Sequence, residues 1–448
     1  MNRFLLSATS SNVGKTSITI GLIEAFKRRG KSIASFKSGP DYIDPMFHKK
    51  ALGVDSANLD LFLMGEEYVK EVLMDRSENK DLSIIEGAMG FYDGISTSTE
   101  ASSYDLARRT KTPVVLVASA KGMGASLGAL VKGFLEYCPD NQIKGIILNQ
   151  TNPMMKSYYE QIIGQISNIK LLGCIPTLEG VEIKSRHLGL ITADEVDNIS
   201  VVISKMADAI EKYVDLDLLW NISTADPISY LPDKRHSLGH VRVAIAKDEA
   251  FCFYYEDSLQ VLEELGVEWV PFSPLHDKEL PENIQGIYLG GGYPELYMDE
   301  LEMNRDMLLQ VKKSYEAGKV LLCECGGFMT LFDFFKGEKD YTLMGLLEGQ
   351  VQMTNKLNHF GYVELDAQSE SLLASKGQKL KGHEFHYSIS SNDGQSFVAK
   401  KPSSHRSWAC VHGNKRLYAG YPHIHLGSQK KARIKFIQTL LEVQGEEK

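Results

Sequence analysis

The sequence predicts two successive α/β units, each built on a parallel sheet. Three observations predict it. Strand-length apolar runs alternate with helix-period stretches from residue 4 to residue 212, the pattern of a parallel, doubly wound sheet. The same alternation restarts at residue 241, after a stretch interrupted by Pro227, Pro232 and Gly239. With 448 residues, the chain is also too long for one ordinary core. The expected boundaries are a first domain at 1–212, a linker at 213–240 and a second domain at 241–448.

The first apolar run, residues 4–6, leads into Ala8-Thr9-Ser10-Ser11-Asn12-Val13-Gly14-Lys15-Thr16-Ser17, and helical spacing follows over 18–26. A strand, a loop of small residues and Gly-Lys-Thr opening a helix make the context of a phosphate-binding loop. Its backbone N–H groups and the helix start would face phosphate oxygens. Lys15 would reach the β- and γ-phosphates, and the Thr16 hydroxyl would ligate Mg²⁺. A short strand over 32–37 enters Gly39-Pro40-Asp41-Tyr42-Ile43-Asp44-Pro45, a loop by its prolines and glycine. Its acids would face the ligand end of the sheet, although on their own they read rather as a solvated turn. The next strand, 82–85, ends in Glu86-Gly87-Ala88-Met89-Gly90-Phe91-Tyr92-Asp93-Gly94. Glu86 stands where a second Mg²⁺-directed acid belongs. Further runs at 113–118, 145–149 and 170–176, with a helix over 126–137, complete the first sheet. Asn149 at a strand end suits either a base contact or a turn cap.

In the second half, strands are expected at 241–246, 267–271, 286–289 and 320–324, with a helix over 255–265. The strand at 286–289 runs into Gly290-Gly291-Gly292-Tyr293-Pro294-Glu295, and that at 320–324 into Cys325-Gly326-Gly327. Cys325 sits at a strand-to-helix turn with the glycines of a nucleophile elbow. A helix N-terminus behind it favours thiolate. Backbone N–H groups of Gly291 and Gly292 would form an oxyanion hole. The histidine that such a thiolate needs is sought in Tyr421-Pro422-His423-Ile424-His425. Cys323 points the other way along its strand and is expected in the core. Gly382-His383-Glu384-Phe385-His386-Tyr387-Ser388 alternates like a strand, and its histidines either line a polar site or satisfy one another.

The bulk numbers narrow the function classes. Apolar residues make up 43% and charged residues 24%, as in soluble globular proteins. A net charge of -9 argues against a nucleic-acid partner. No run approaches the ~18 apolar residues of a membrane span. The first strand begins at once, so no signal peptide is expected. The six cysteines are scattered, with no CxxC pair, which fits a reduced cytoplasm.

Taken together and in order, the phosphate loop, Gly-Pro-Asp-Tyr-Ile-Asp-Pro, Glu-Gly-x-Met-Gly-x-x-Asp-Gly, Leu-Gly-Gly-Gly-Tyr-Pro-Glu, Glu-Cys-Gly-Gly and Tyr-x-His-x-His resemble the cobyrinate a,c-diamide synthase family of CobB/CobQ-type glutamine amidotransferases. The resemblance runs over essentially the whole chain, through Lys247-Asp248-Glu249-Ala250-Phe251 and Phe272-Ser273-Pro274-Leu275. It implies an N-terminal P-loop domain like dethiobiotin synthetase and a C-terminal domain like class I glutamine amidotransferases. It implies ATP and Mg²⁺, glutamine as ammonia source, and a cobalt corrin, cobyrinate, amidated on its a and c acetate chains. By motif, Cys325 is the glutaminase nucleophile and His423 its base. Ser11 to Ser17, with Gly14, Lys15 and Thr16 at the centre, bind ATP. Thr16, Asp41 and Glu86 go with Mg²⁺, and Tyr42, Asp44 and Asp93 lie near the tetrapyrrole carboxylates. The family has Gly where this chain has Ala8 and Asn12. No Glu sits two residues beyond either histidine, so the resemblance implies a Cys-His dyad.

Three rivals stand beside this reading. One is the same diamidation on nickel-sirohydrochlorin. Another is amidation of other corrin side chains, as in cobyric acid synthase. The third is a partition-type P-loop ATPase switch, which would have no Cys-Gly-Gly elbow. A homodimer is compatible with the sequence, which does not settle the oligomeric state.

Overall fold

A computed structural model describes residues 1–181, 185–186, 189–190 and 199–446. The chain forms two compact units, Met1–Leu61 with Gly65–Pro232, and Phe62–Met64 with Asp233–Lys448.

In the first unit, β1 (Asn2–Ala8), α1 (Lys15–Arg28), β2 (Ile33–Ser38), α2 (Ile43–Leu52), β3 (Ser56–Leu59), α3 (Leu61–Ser77, broken at Gly65), β4 (Leu82–Glu86), α4 (Ser103–Arg109), β5 (Val114–Ser119), α5 (Ser126–Tyr137), β6 (Ile143–Asn149), α6 (Lys156–Gly164) and β7 (Lys170–Cys174) follow one another. The seven strands are parallel, in the order β3-β2-β4-β1-β5-β6-β7. Phe4, Leu5 and Leu6 of the central strand are fully buried, as a strand covered on both faces requires. Six strands follow the apolar runs; β3 does not, because Ser56 and Asn58 break its apolar pattern. After the two-residue β8 (Ser185–Arg186) and β9 (Gly189–Leu190) come α7 (Ile199–Tyr213) and α8 (Leu216–Ile222). Part of the stretch read as a linker is therefore structured. Asp215 caps α8 by accepting from Leu218 N, Leu216 and Leu219 join the core with α1 and α7, and Ser223 O accepts from Arg3 N at 2.8 Å.

The second unit contains β10 (Val241–Ala246), β11 (Phe251–Phe253), α9 (Glu256–Glu264), β12 (Val267–Phe272), β13 (Gly286–Leu289), β14 (Gly291–Gly292), α10 (Met298–Met303), α11 (Arg305–Glu316), β15 (Val320–Glu324) and α12 (Gly326–Met329). Then come β16 (Phe332–Lys336), β17 (Asp340–Thr342), β18 (Leu347–Ala367), β19 (Lys379–Ser390), β20 (Phe397–Lys400), β21 (Ser407–Cys410), β22 (His412–Asn414), β23 (Leu417–Gly420), β24 (His423–Ile424) and α13 (Lys430–Glu446). One sheet runs β12-β10-β13-β15-β23-β22, parallel except for its last edge. A second, largely antiparallel sheet, β17-β16-β18-β19-β24 with β20 and β21, was not foreseen. Register shifts in β18 near Met353, Asn358 and Gly361 break the period-2 pattern that would have marked it.

Candidate active sites

The phosphate loop leaves β1 and enters α1 at the centre of the first sheet. Gly14 has φ 89, and a Cβ there would lie 2.4 Å from Asn149 Nδ2. The Asn149 amide donates to Val13 O at 2.8 Å and so braces the loop. Asn12 adopts φ 63, a left-handed conformation that Asn tolerates. Ser11 and Asn12 are exposed, Val13, Gly14, Thr16 and Ser17 half-buried, and Lys15 buried. Lys15 Nζ donates to Met89 O of the Glu86–Gly94 loop. Burial, then the charge of Lys37, pull the Lys15 ammonium down to about 8 against Glu86, Asp93 and Asp44.

Parallel register places Lys37 of β2 beside Glu86 of β4, and the two side chains meet at 3.0 Å. Thr16 Oγ1 donates to Glu86 Oε1 at 2.6 Å. Glu86 Oε2 is buried without a hydrogen-bond partner, 3.9 Å from His48 Nε2. Asp44, in the first turn of α2, is ion-paired with Lys37. It is only 4% exposed, so its carboxylate is spent inside the protein. Burial would draw the Lys37 ammonium down, but Asp44, Glu86 and Asp41 outweigh it and keep the charge. Asp41 accepts from Ile43 N at 2.9 Å; burial, then Asp44, push it up to about 7. Asn58 of β3 donates to Gly39 O and Asp41 O at 2.8 and 2.7 Å and fixes this loop. Tyr42 is buried at the start of α2, while Asp93 is exposed and its carboxylate closes its own loop by accepting from Gly90 N at 2.9 Å. Sequence reading passed over Lys37 and Asn58; a lysine ending a strand carries no local mark of its partner 49 residues on.

These contacts predict different costs for the two acids. Asp44→Asn leaves Lys37 with one anion fewer in a buried cluster and should cost about 3 kcal/mol of stability in denaturant unfolding. Asp93→Asn, at an exposed position, should stay within roughly 0.5 kcal/mol of the parent.

In the second unit Cys325 links β15 to α12 with φ 48 and ψ −104, a conformation that L-residues seldom adopt and that marks functional turns. The neighbouring glycines let the backbones close. A Cβ on Gly327 would lie 2.2 Å from Leu289 O, and one on Gly326 2.8 Å from Pro294 and 3.2 Å from Gly292 N. Cys325 N donates to Gly420 O, and Gly327 N to Gly290 O, at 2.9 and 3.0 Å. The N–H of Gly290 is taken by the Tyr254 hydroxyl at 2.9 Å, and Gly291 and Gly292, as β14, pair with β11 beside the elbow. Asp248 clasps this side. Its Oδ1 accepts from Ala250 N and Phe251 N, and its Oδ2 from Ser273 Oγ and Leu275 N.

His423, on β24, is 3% exposed and packs against Gly291, whose added Cβ would lie 2.5 Å from its Cε1. Burial alone would lower the His423 imidazole, but the Cys325 thiolate and its hydrogen bond, then Glu324, push it up to about 10. His423 and Cys325 thus form one hydrogen-bonded pair. His425 turns elsewhere. Its Nε2 lies 3.0 Å from Asp257 Oδ2, and its Nδ1 3.1 Å from Ser428 Oγ. Glu324, absent from the sequence-derived candidates, has Oε2 3.7 Å from His423 Nδ1. Its only sequence signal was its place just before Cys325. His386 Nε2 and Glu384 Oε2 lie 3.6 Å apart inside the second sheet without a hydrogen bond between them, and His386 is stacked on Tyr421.

A phosphate loop with an acid cluster on one sheet, and a cysteine elbow with a histidine beside it on another, define a nucleotide-dependent ligase joined to a glutaminase. Comparison with known proteins agrees. Residues 4–191 match the CobQ/CobB/MinD/ParA nucleotide binding domain, and residues 242–431 the CobB/CobQ-like glutamine amidotransferase domain. Over 97% of its length the chain is 37% identical to the cobyrinate a,c-diamide synthase of Caldanaerobacter subterraneus subsp. tengcongensis, covering 97% of that protein. The synthase of Clostridium acetobutylicum is 37% identical over 95% of the chain and 97% of its own length, and that of Fusobacterium nucleatum 38% identical over 96% and 99%. The chain belongs to the cobyrinate a,c-diamide synthase family. A partition-type switch has no use for the second unit, which the amidotransferase match covers.

Proposed function

We infer that the protein is a carbon–nitrogen ligase that amidates the a and c acetate carboxylates of cobyrinate in cobalamin biosynthesis, using ATP and glutamine. One observation carries the reading: both half-sites lie in one chain that aligns nearly end to end with synthases of that name.

A substrate carboxylate attacks the γ-phosphorus of ATP, ADP leaves, and an acyl phosphate forms. Catalysis of this step is positioning and charge neutralisation. The loop 11–17 supplies N–H groups to the phosphates, and Lys15 exchanges Met89 O for a phosphate oxygen. Lys37, kept charged by Asp44 and Glu86, places a second cation beside the first. This assigns Asp44 to holding Lys37, and leaves Tyr42 and Asp93 as the residues toward the corrin carboxylates. Thr16, Glu86 and Asp41 are oxygen donors of the kind Mg²⁺ takes, and the unpartnered Glu86 Oε2 fits a cation nearby. Among the described residues no three acidic, His or Cys side chains form a complete metal cage, which Mg²⁺ held jointly with phosphates does not need. When bound, Mg²⁺ neutralises the charge developing on the transferred phosphoryl group.

In the other half, the Cys325 thiolate attacks the glutamine side-chain amide. The backbone at Gly291 and Gly292 faces the oxyanion, and His423 gives its proton to the departing ammonia. Water then clears the thioester as glutamate. Ammonia displaces phosphate from the acyl phosphate. Keeping both halves in one chain suits this chemistry, because free ammonia is mostly protonated near neutral pH. Among the described residues no helix is long and apolar enough to cross a membrane, and the six cysteines are free thiols; both fit a cytoplasmic enzyme.

Purified protein, ATP, Mg²⁺ and glutamine should convert cobyrinate to its a,c-diamide. Nickel-sirohydrochlorin, assayed beside it, should be the poorer substrate by kcat/KM. A preference for the nickel compound would move the protein to that substrate while keeping the chemistry.

A further inference from the structure

An imidazole that exchanges a proton with a thiol needs its other ring nitrogen held. In this chain the position two residues beyond His423 is taken by His425, which is engaged with Asp257. We propose that Glu324, the residue directly before the nucleophile, is the positioning acid of His423, so that the glutaminase works as a Cys325–His423–Glu324 triad. The inference rests on the reading of Cys325 as nucleophile.

The backbone explains how adjacent residues can serve one ring. On a strand, neighbouring side chains point to opposite faces. The chain leaves strand geometry at Cys325, with φ 48 and ψ −104, and both side chains reach His423. Glu324 Oε2 lies 3.7 Å from Nδ1, which leaves the other ring nitrogen to the thiol. Glu324 is 1% exposed and fixed at both oxygens. Oε1 accepts from Ile424 N at 2.9 Å, next to His423 itself, and Oε2 from the Tyr288 hydroxyl at 2.8 Å. Tyr288 packs edge-on against Tyr254, whose hydroxyl holds Gly290 N. The same two tyrosines thus anchor the acid and the oxyanion loop. His383 also faces His423, opposite it in register on β19. Burial, then the His423 charge, pull the His383 imidazole down to about 3, so it supplies no competing charge.

The test is glutamine hydrolysis and Cys325 alkylation by iodoacetamide, each across pH, in parent, Glu324→Gln, Glu324→Asp and Tyr288→Phe. Alkylated parent should be dead toward glutamine; retained activity there would refute Cys325 as nucleophile, and the triad with it. Glu324→Gln should lower kcat on the order of 10²- to 10⁴-fold, with KM for glutamine nearly constant. The midpoint of its alkylation–pH curve should rise by about one unit, because a buried anion no longer supports the imidazolium. Glu324→Asp should regain a tenfold or greater part of the loss, and Tyr288→Phe, which keeps the charge, should lose less than about tenfold. A folded Glu324→Gln with parental kcat and an unmoved alkylation curve would overturn the proposal. So would a loss in that variant confined to KM. Should Glu324→Gln fail to fold, the Asp and Phe variants decide by the same two readouts.

Discussion

Cys325→Ser should abolish synthesis from glutamine and spare synthesis from ammonium. A serine hydroxyl is far less acidic than a thiol, so it is a much weaker nucleophile at the same place. Glutamine hydrolysis should fall on the order of 10³-fold or more. The ATP-dependent step uses no residue of this elbow. With high ammonium, at a pH where some free ammonia exists, diamide formation should therefore continue. His423→Ala should lose glutamine-dependent synthesis on the order of 10²-fold. His425→Ala should keep the rate and lose stability, since it removes a fully buried side chain and its ion pair with Asp257. Loss of both nitrogen sources in a folded Cys325→Ser would assign the residue to structure. Full activity with glutamine would put the nucleophile elsewhere, with Cys410 and Cys252 the next to test.

Lys15→Ala should abolish synthesis with either nitrogen source. The lysine provides the cation for the transferred phosphoryl group, and such charges contribute on the order of 10³-fold or more to phosphoryl transfer. Its ammonium donates to the Met89 carbonyl, a contact whose loss the fold should survive. Glutamine hydrolysis, which belongs to the other unit, should persist. Appreciable diamide from this variant, with glutamine or ammonium, would show that the loop is not the site of ATP.

The parts of the protein visible in the sequence are those written in local spacing. The phosphate loop, the glycine runs and the Cys-Gly-Gly elbow are contiguous, and each sits at a strand end where apolar periodicity stops. What escaped depends on pairing between distant segments. Lys37 gains its meaning from the register that sets it against Glu86. Glu324 was visible as a letter of the Glu-Cys-Gly-Gly motif, but its contact with His423 follows from the turn at Cys325 and the pairing that brings β24 near. Asp44 was placed near the tetrapyrrole carboxylates by its motif; its ion pair with the buried Lys37 could not be read from that motif. The second sheet hid behind bulges, and α8 behind the prolines that follow it.

The most direct measurement supplies the protein with cobyrinate, ATP, Mg²⁺ and glutamine labelled at its amide nitrogen, and follows the corrin product by mass spectrometry. Two labelled nitrogens should appear per product molecule, together with labelled-nitrogen loss from glutamine and ADP formation in step with each amide. Unlabelled competing ammonium should dilute the label in the Cys325→Ser reaction completely. A corrin left unamidated while ATP is hydrolysed, or a product carrying no label from glutamine, would contradict the assignment.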